Sequence, residues 1–242
     1  MKPVLLLIPG MLNDGRVWAD VAALLAGDAD VRMAEVSRQD SIARMRGDAW
    51  AQLADVPDSA PVVVAGFSMG GYVALDMLAH PARSIQGLLF MSTSAMPETE
   101  QSRVVREKTL AAMGADFPRF VSGVQAFNTY STDPVLGAQL RRMMLDIGPE
   151  TGRRQVQAIM GRQDHRALLE NLPMPVRVLV GRHDRVTPPP LSEALAQQIA
   201  QAQLEIIDDA GHMLPREKPE AVARVLRELI SGTTTTDTGD NS

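Results

Sequence analysis

Cysteine is absent from the 242 residues. No disulfide framework and no thiolate metal site can form, which fits a reducing, cytoplasmic compartment. Histidine is scarce: His80, His165, His183 and His212 are the only four. They show neither H-x-H nor H-E-x-x-H spacing, so neither metal nor cofactor is expected. No stretch approaches the roughly 18 apolar residues that a membrane helix needs. Lys2 ahead of an apolar run imitates the start of a signal peptide. That run, Val4 to Ile8, stops at Pro9-Gly10 and no A-x-A-like site follows, so a core strand is the better reading. Positive charge is not in excess. The net charge of −5 lacks the basic footprint of a nucleic-acid binder. What remains is ordinary for a globular chain: 45% apolar and 22% charged residues, in a length that suits one α/β domain with an insertion.

The informative segment is Gly66-Phe67-Ser68-Met69-Gly70. It follows the apolar run Pro61 to Ala65 and precedes a stretch, Gly71 to His80, that reads as a helix. A G-x-S-x-G pattern between a buried strand and a helix is a nucleophile elbow. The sharp turn strains the serine and lifts its Oγ clear of the sheet, and Gly66 and Gly70 let strand and helix approach closely. The helix N-terminus then aims backbone N–H groups at charge developing beside Ser68. Asp184 lies just past the strand-like Val176 to Val180, and His212 just past Leu204 to Ile207. All three stand at the C-terminal ends of expected strands, where open α/β sheets place ligands.

The order Ser68, Asp184, His212 is that of the α/β-hydrolases. The chain resembles that superfamily from about Val4 to Ile230. More narrowly, it is similar to the small serine esterase and enol-lactonase branch, which includes carboxylesterases of pimeloyl methyl ester carried on acyl carrier protein. The resemblance implies a mostly parallel sheet flanked by helices, with a helical cap inserted after the family's sixth strand and the N-terminal hairpin absent. It makes Ser68, Asp184 and His212 the catalytic residues. Met11, after Pro9-Gly10, and Met69 would give the oxyanion-hole N–H groups. Relatives usually carry His-Gly at that place; Pro9 stands for the His, and the hole needs only a backbone donor.

Further elements follow from pattern. Asp14 caps a helix from about Gly15 to Ala26, Val31 to Val36 is a strand, Ala43 to Ala54 a helix and Ile85 to Met91 a strand. From Ala95 to Leu172 strand signals vanish, and Gly114, Pro118, Pro134 and Gly148-Pro149 break a helical stretch. The expected organisation is one domain over 1–231, with a core of 1–94 and 173–231 and a cap of about 95–172. Residues 232–242 are polar and low in complexity, and read as a disordered tail.

Several residues invite a second role. Asp208 and Asp209 compete with Asp184 as the acid but suit a turn. His183 reads as a loop residue and His80 as a helix C-cap. Asp164-His165-Arg166 fits either helix-end ion pairing or substrate contact. Met96, Met113, Met143, Met144 and Met160, with Phe117, Phe120, Phe127 and Tyr130, fit either an adaptable acyl pocket or plain core packing. The six arginines between Arg141 and Arg166 read as a solvated face, or as a surface for an acidic partner such as an acyl carrier protein. Three functions stay open: a serine hydrolase of a small-molecule ester, lactone or thioester; an acyltransferase or perhydrolase with the same residues; and a hydrolase fold retained as a binding module.

Overall fold

The computed structural model describes residues 2–234. Among the described residues six strands form one sheet: β1 (Val4–Ile8), β2 (Asp30–Met33), β3 (Val62–Phe67), β4 (Gly87–Met91), β5 (Val176–Gly181) and β6 (Ala202–Ile207). Their spatial order is β2-β1-β3-β4-β5-β6, and every neighbouring pair is parallel. No strand precedes β1 among the described residues.

The apolar runs are continuous because both faces of the sheet are covered. Leu6, Ile8, Val62, Val64 and Phe90 enter one core cluster; Leu5, Leu7, Val63, Phe67 and Met91 enter the other. The first is shared with α2 (Ile42–Ala51), α3 (Met69–Ala79) and α8 (Pro189–Gln197). The second is shared with a 3-10 turn (Gly15–Trp18), α1 (Ala19–Leu25), the one-turn α9 (Leu214–Glu217) and α10 (Pro219–Thr234). Each fully buried Leu, Val or Phe side chain contributes about 1.5–3 kcal/mol, an upper range for an extended unfolded chain.

Asp14 does cap, accepting from Arg16 N–H at 2.9 Å, but the expected single helix is a 3-10 turn followed by α1. β2 ends at Met33, short of the expected Val36. Between β4 and β5 lie α4 (Glu100–Ala115), α5 (Phe117–Asn128), α6 (Pro134–Ile147), α7 (Pro149–Met160) and a 3-10 turn (Arg166–Asn171). Pro118, Pro134 and Pro149 sit in first turns, where a missing N–H costs nothing. Gly114 does not break α4. A lone helical glycine costs only about 1 kcal/mol, and the break falls at Asp116, which caps α5 through Arg119 N–H. α10 runs three residues into the expected tail, to Thr234; the tail from 235 lies outside the described residues.

Strand β3, helix α3 and the end of β1 approach to backbone contact. A Cβ on Gly66 would lie 2.5 Å from Gly70 O, and one on Gly70 would lie 2.3 Å from Ile8 O. Neither obstacle is a flexible side chain. Gly70→Ala is therefore expected to cost about 1–3 kcal/mol or more, read as a lower urea midpoint. A change below about 0.5 kcal/mol, the range of ordinary surface substitutions, would contradict this close approach.

Candidate active site

β1 and β3 are adjacent and flush, with Ile8 opposite Gly66. The loop after β1 thus meets the turn after β3: a Cβ on Gly10 would lie 3.1 Å from Ser68 Cβ. This is also where the strand order reverses, the crevice in which open α/β sheets bind ligands. Ser68 is held at φ 53°, ψ −116°, a conformation that costs a non-glycine residue about 1–3 kcal/mol. Three hydrogen bonds offset it. Ser68 N–H donates to Met91 O at 2.9 Å, and Ser68 O accepts from Gly71 N–H at 2.9 Å and from Thr93 Oγ1 at 2.8 Å.

The three expected side chains meet. Ser68 Oγ lies 3.0 Å from His212 Nε2, and His212 Nδ1 lies 2.9 Å from Asp184 Oδ2. Asp184 and His212 are 3% and 4% exposed, while Ser68 is half-buried. The buried carboxylate is well satisfied. Oδ1 accepts from the N–H groups of Val186 and Thr187, and Oδ2 from Thr187 Oγ1, each at 2.9 Å. Burial by itself would raise the Asp184 pKa. The positive charge of protonated His212, its hydrogen bond and the Thr187 donors outweigh burial and hold the carboxyl below its ordinary 3.8. An ionised carboxylate only accepts, so Nδ1 carries the proton and Nε2 is left to accept from the Ser68 hydroxyl. Phe67 walls the imidazole, with ring centroids 5.2 Å apart.

Met69 directly follows Ser68, and Met11 directly follows Gly10, the residue whose added Cβ would meet Ser68 Cβ. Met69 is the first residue of α3, so its N–H has no intrahelical acceptor. Among the described residues no protein acceptor takes the N–H of Met11 or Met69, whereas Leu12 N–H is bound to Gln155 Oε1 at 2.8 Å.

The competing readings separate. Asp208 is exposed and paired with Arg182, and Asp209 sits in a left-handed turn at φ 52°. His183 stacks on Tyr130 with centroids 4.1 Å apart. His80 caps α3. Asp164 pairs with Arg166 at 2.6 Å, but His165 turns inward: its Nε2 lies 2.8 Å from Oδ1 of Asp76 on α3, which also binds Arg46. Met113 and Met144 pack with Leu12, Val121 and Val156, and Met143 enters a sheet-side core, so these three serve core packing. Met96, Phe127 and Tyr130 are exposed.

Three contributors escaped the sequence reading. Thr187 follows Asp184 by three residues, a local turn spacing that was legible. Gln155 shows only as a polar residue in the buried stripe of Gly152, Val156 and Ile159. Glu217 carried no sequence signal. It accepts from Tyr130 and Ser131 N–H, both at 2.8 Å, and from Gly211 N–H at 3.1 Å, and Asn128 O accepts from His212 N–H at 2.8 Å. A cavity of about 700 Å³ adjoins this region, lined in part by Phe127, Tyr130, His183 and Asp184. Among the described residues no three His, Asp or Glu side chains gather to hold a metal ion, and no helix is long and apolar enough to cross a membrane.

Because the Asp184 carboxyl is depressed in the folded state, it stabilises the fold above its unfolded value and loses that contribution as pH falls through its folded value. Urea unfolding at stepped pH should show the wild type losing stability below about pH 4, with a shallower acid limb in Asp184→Asn. Parallel curves would contradict the assignment of that limb to Asp184.

A family model described as serine aminopeptidase, S33, matches residues 27–219. The pimeloyl-[acyl-carrier protein] methyl ester esterase of Aromatoleum aromaticum is 26% identical over 260 aligned residues, covering 96% of this chain and 99% of that protein. Among solved structures, a thermophilic esterase from Thermogutta terrifontis superposes with a TM-score of 0.85 at 26% identity, covering 97% of this chain and 91% of the other. The enol-lactonase of Burkholderia xenovorans LB400 shares the fold, with a TM-score of 0.81 at 22% identity over 96% of this chain and 92% of its own. With the family model matching most of the chain and the sheet, elbow and strand order in place, the chain belongs to the serine aminopeptidase S33 family of α/β-hydrolases.

Proposed function

We propose that the protein hydrolyses a carboxylic ester, lactone or thioester of a small molecule through an acyl-enzyme on Ser68. The observation that carries this reading is the hydrogen-bonded chain from Ser68 Oγ through His212 to Asp184 at 3.0 and 2.9 Å. In this reading His212 Nε2 takes the hydroxyl proton as Oγ attacks the carbonyl, then returns it to the leaving group. Asp184 holds the imidazole tautomer and stabilises the imidazolium. The N–H groups of Met11 and Met69 receive the oxyanion, each worth about 2.7–4 kcal/mol if removed. Water activated by the same histidine releases the acid. A serine in the elbow speaks against the aspartyl-ester chemistry of epoxide hydrolases and haloalkane dehalogenases. The esterase names of the curated and solved relatives support ester cleavage as the class. Helices α4 to α7 are proposed as the cap over the site.

The substrate reading favours an apolar acyl group. Five of the six arginines between Arg141 and Arg166 are engaged within the fold: Arg142, Arg162 and Arg166 in ion pairs, Arg141 with Ser122 Oγ, and Arg154 with Ser37 O. That engagement supports a structural role for the basic cluster over a carrier-docking one.

Ser68→Ala should abolish ester hydrolysis and fluorophosphonate labelling while circular dichroism stays unchanged; undiminished labelling would sink the nucleophile assignment. Asp184→Asn should lower kcat by on the order of 10⁴, whereas Asp208→Asn, which loses only an exposed ion pair, should leave kcat near wild type. An inactive Asp208 variant would require a different acid. In a homologous series of unbranched esters, kcat/KM should rise by up to about fourfold per methylene, then peak as the pocket fills. A dicarboxylate monoester that outruns the whole series would overturn the apolar-acyl reading in favour of the substrate in the Aromatoleum relative's name.

A further inference from the structure

We propose that Gln155, on α7 of the inserted helical segment, is a positioning residue that aims the Met11 N–H; the inference rests on the serine-hydrolase reading above. Gln155 is fully buried, and both ends of its amide are used. Oε1 accepts from Leu12 N–H at 2.8 Å, and Nε2 donates to Val36 O at 3.0 Å. One side chain therefore bridges the loop after β1 to the loop after β2.

The bond to Leu12 closes a clamp on a single peptide unit. The C=O of Met11 accepts from Asn13 Nδ2 at 2.7 Å. The N–H at the other edge of that same peptide, from Leu12, is held by Gln155. A planar peptide fixed at both its C=O and its N–H cannot rotate. The preceding peptide is fixed through Gly10 O, which accepts from Asn13 N–H at 3.2 Å. In a trans peptide the N–H points opposite to its C=O, so this bond turns Met11 N–H outward from the loop. The clamp is needed because Leu12 sits at φ 55°, a conformation that a branched, non-glycine residue leaves unless its surroundings hold it.

The rest of α7 is shaped to the same loop. Gly152, one turn before Gln155, admits the Leu12 side chain, since a Cβ there would lie 3.0 Å from Leu12 Cδ2. Arg154 donates to Ser37 O at 2.9 Å, next to the Val36 carbonyl that Gln155 holds. A helix from the insertion thus sets the geometry of a donor that belongs to the sheet.

The test compares Gln155→Met, which keeps volume and loses both bonds, with Gln155→Glu, which keeps an acceptor for Leu12 N–H. Each is assayed on the best ester and titrated with the trifluoromethyl ketone of the same acyl group, which forms a tetrahedral adduct on the nucleophile. Gln155→Met should lose about ten- to hundredfold in kcat, the size of effect that a misplacement near 1 Å brings, with KM within about threefold of wild type. Affinity for the ketone should fall by the same factor as kcat/KM, because both report the oxyanion contact. Gln155→Glu should recover most of kcat. A folded Met variant with wild-type kcat, a change confined to KM, or a Glu variant as impaired as the Met variant would overturn the role. Should Gln155→Met unfold at the assay temperature, wild type and both variants are compared below the unfolding midpoint of the Met variant, with the same outcomes deciding. A wild type without turnover on any ester or lactone would instead overturn the hydrolase reading.

Discussion

Backbone contact between strand β3, helix α3 and the end of β1 is the constraint on which the site depends. Ser68 cannot leave the sheet at φ 53°, ψ −116° unless the helix begins at once, and the helix cannot begin there unless Gly66 and Gly70 carry no side chain. The strain of that turn is offset locally by Met91 O and Thr93 Oγ1, which belong to β4 and the residues just after it. Pairing of β3 with β4 out to Phe67 and Met91 is therefore as much a part of the turn as the glycines are.

The same parallel sheet assembles the remaining groups. Strands that all run one way deliver their following loops to one edge, so residues far apart in sequence converge there. Convergence alone would leave a buried carboxylate uncompensated. Asp184 is stabilised as an anion by Thr187 and Val186 donors and by His212, which is why a group 3% exposed keeps its charge. The histidine loop in turn is tied to the loop between α5 and α6 through Glu217 and Asn128 O. The segment between β4 and β5 is joined to the rest of the fold by polar bonds as well as by apolar contact: at Gln155, whose bonds are buried, at Glu217, and at His165 with Asp76 of α3.

Much of this was legible in the chain. G-x-S-x-G after a β-branched run specifies a strand, turn and helix because only glycine tolerates the close approach, and Ser68 stands where that reading puts it. Asp184 and His212 were legible as residues just beyond apolar strand runs. The first turns of α5, α6 and α7 were marked by Pro118, Pro134 and Pro149. Local signals failed where a weak breaker met a strong helix, as at Gly114, and where strand-like composition ran past the last paired residue, as at β2, whose pairing with β1 ends at Met33.

Sequence by itself determined the elbow and the strand ends that carry Ser68, Asp184 and His212, because each follows from sterics and periodicity within a dozen residues; the parallel sheet was implied by the family resemblance alone. Only the tertiary structure decided which carboxylate meets His212, which methionines are core, and that Gln155 and Glu217 reach across more than 80 residues to backbone groups of the site loops. A backbone N–H is the same donor in every residue. Its partner is chosen by which elements pack together, and no local pattern records that choice.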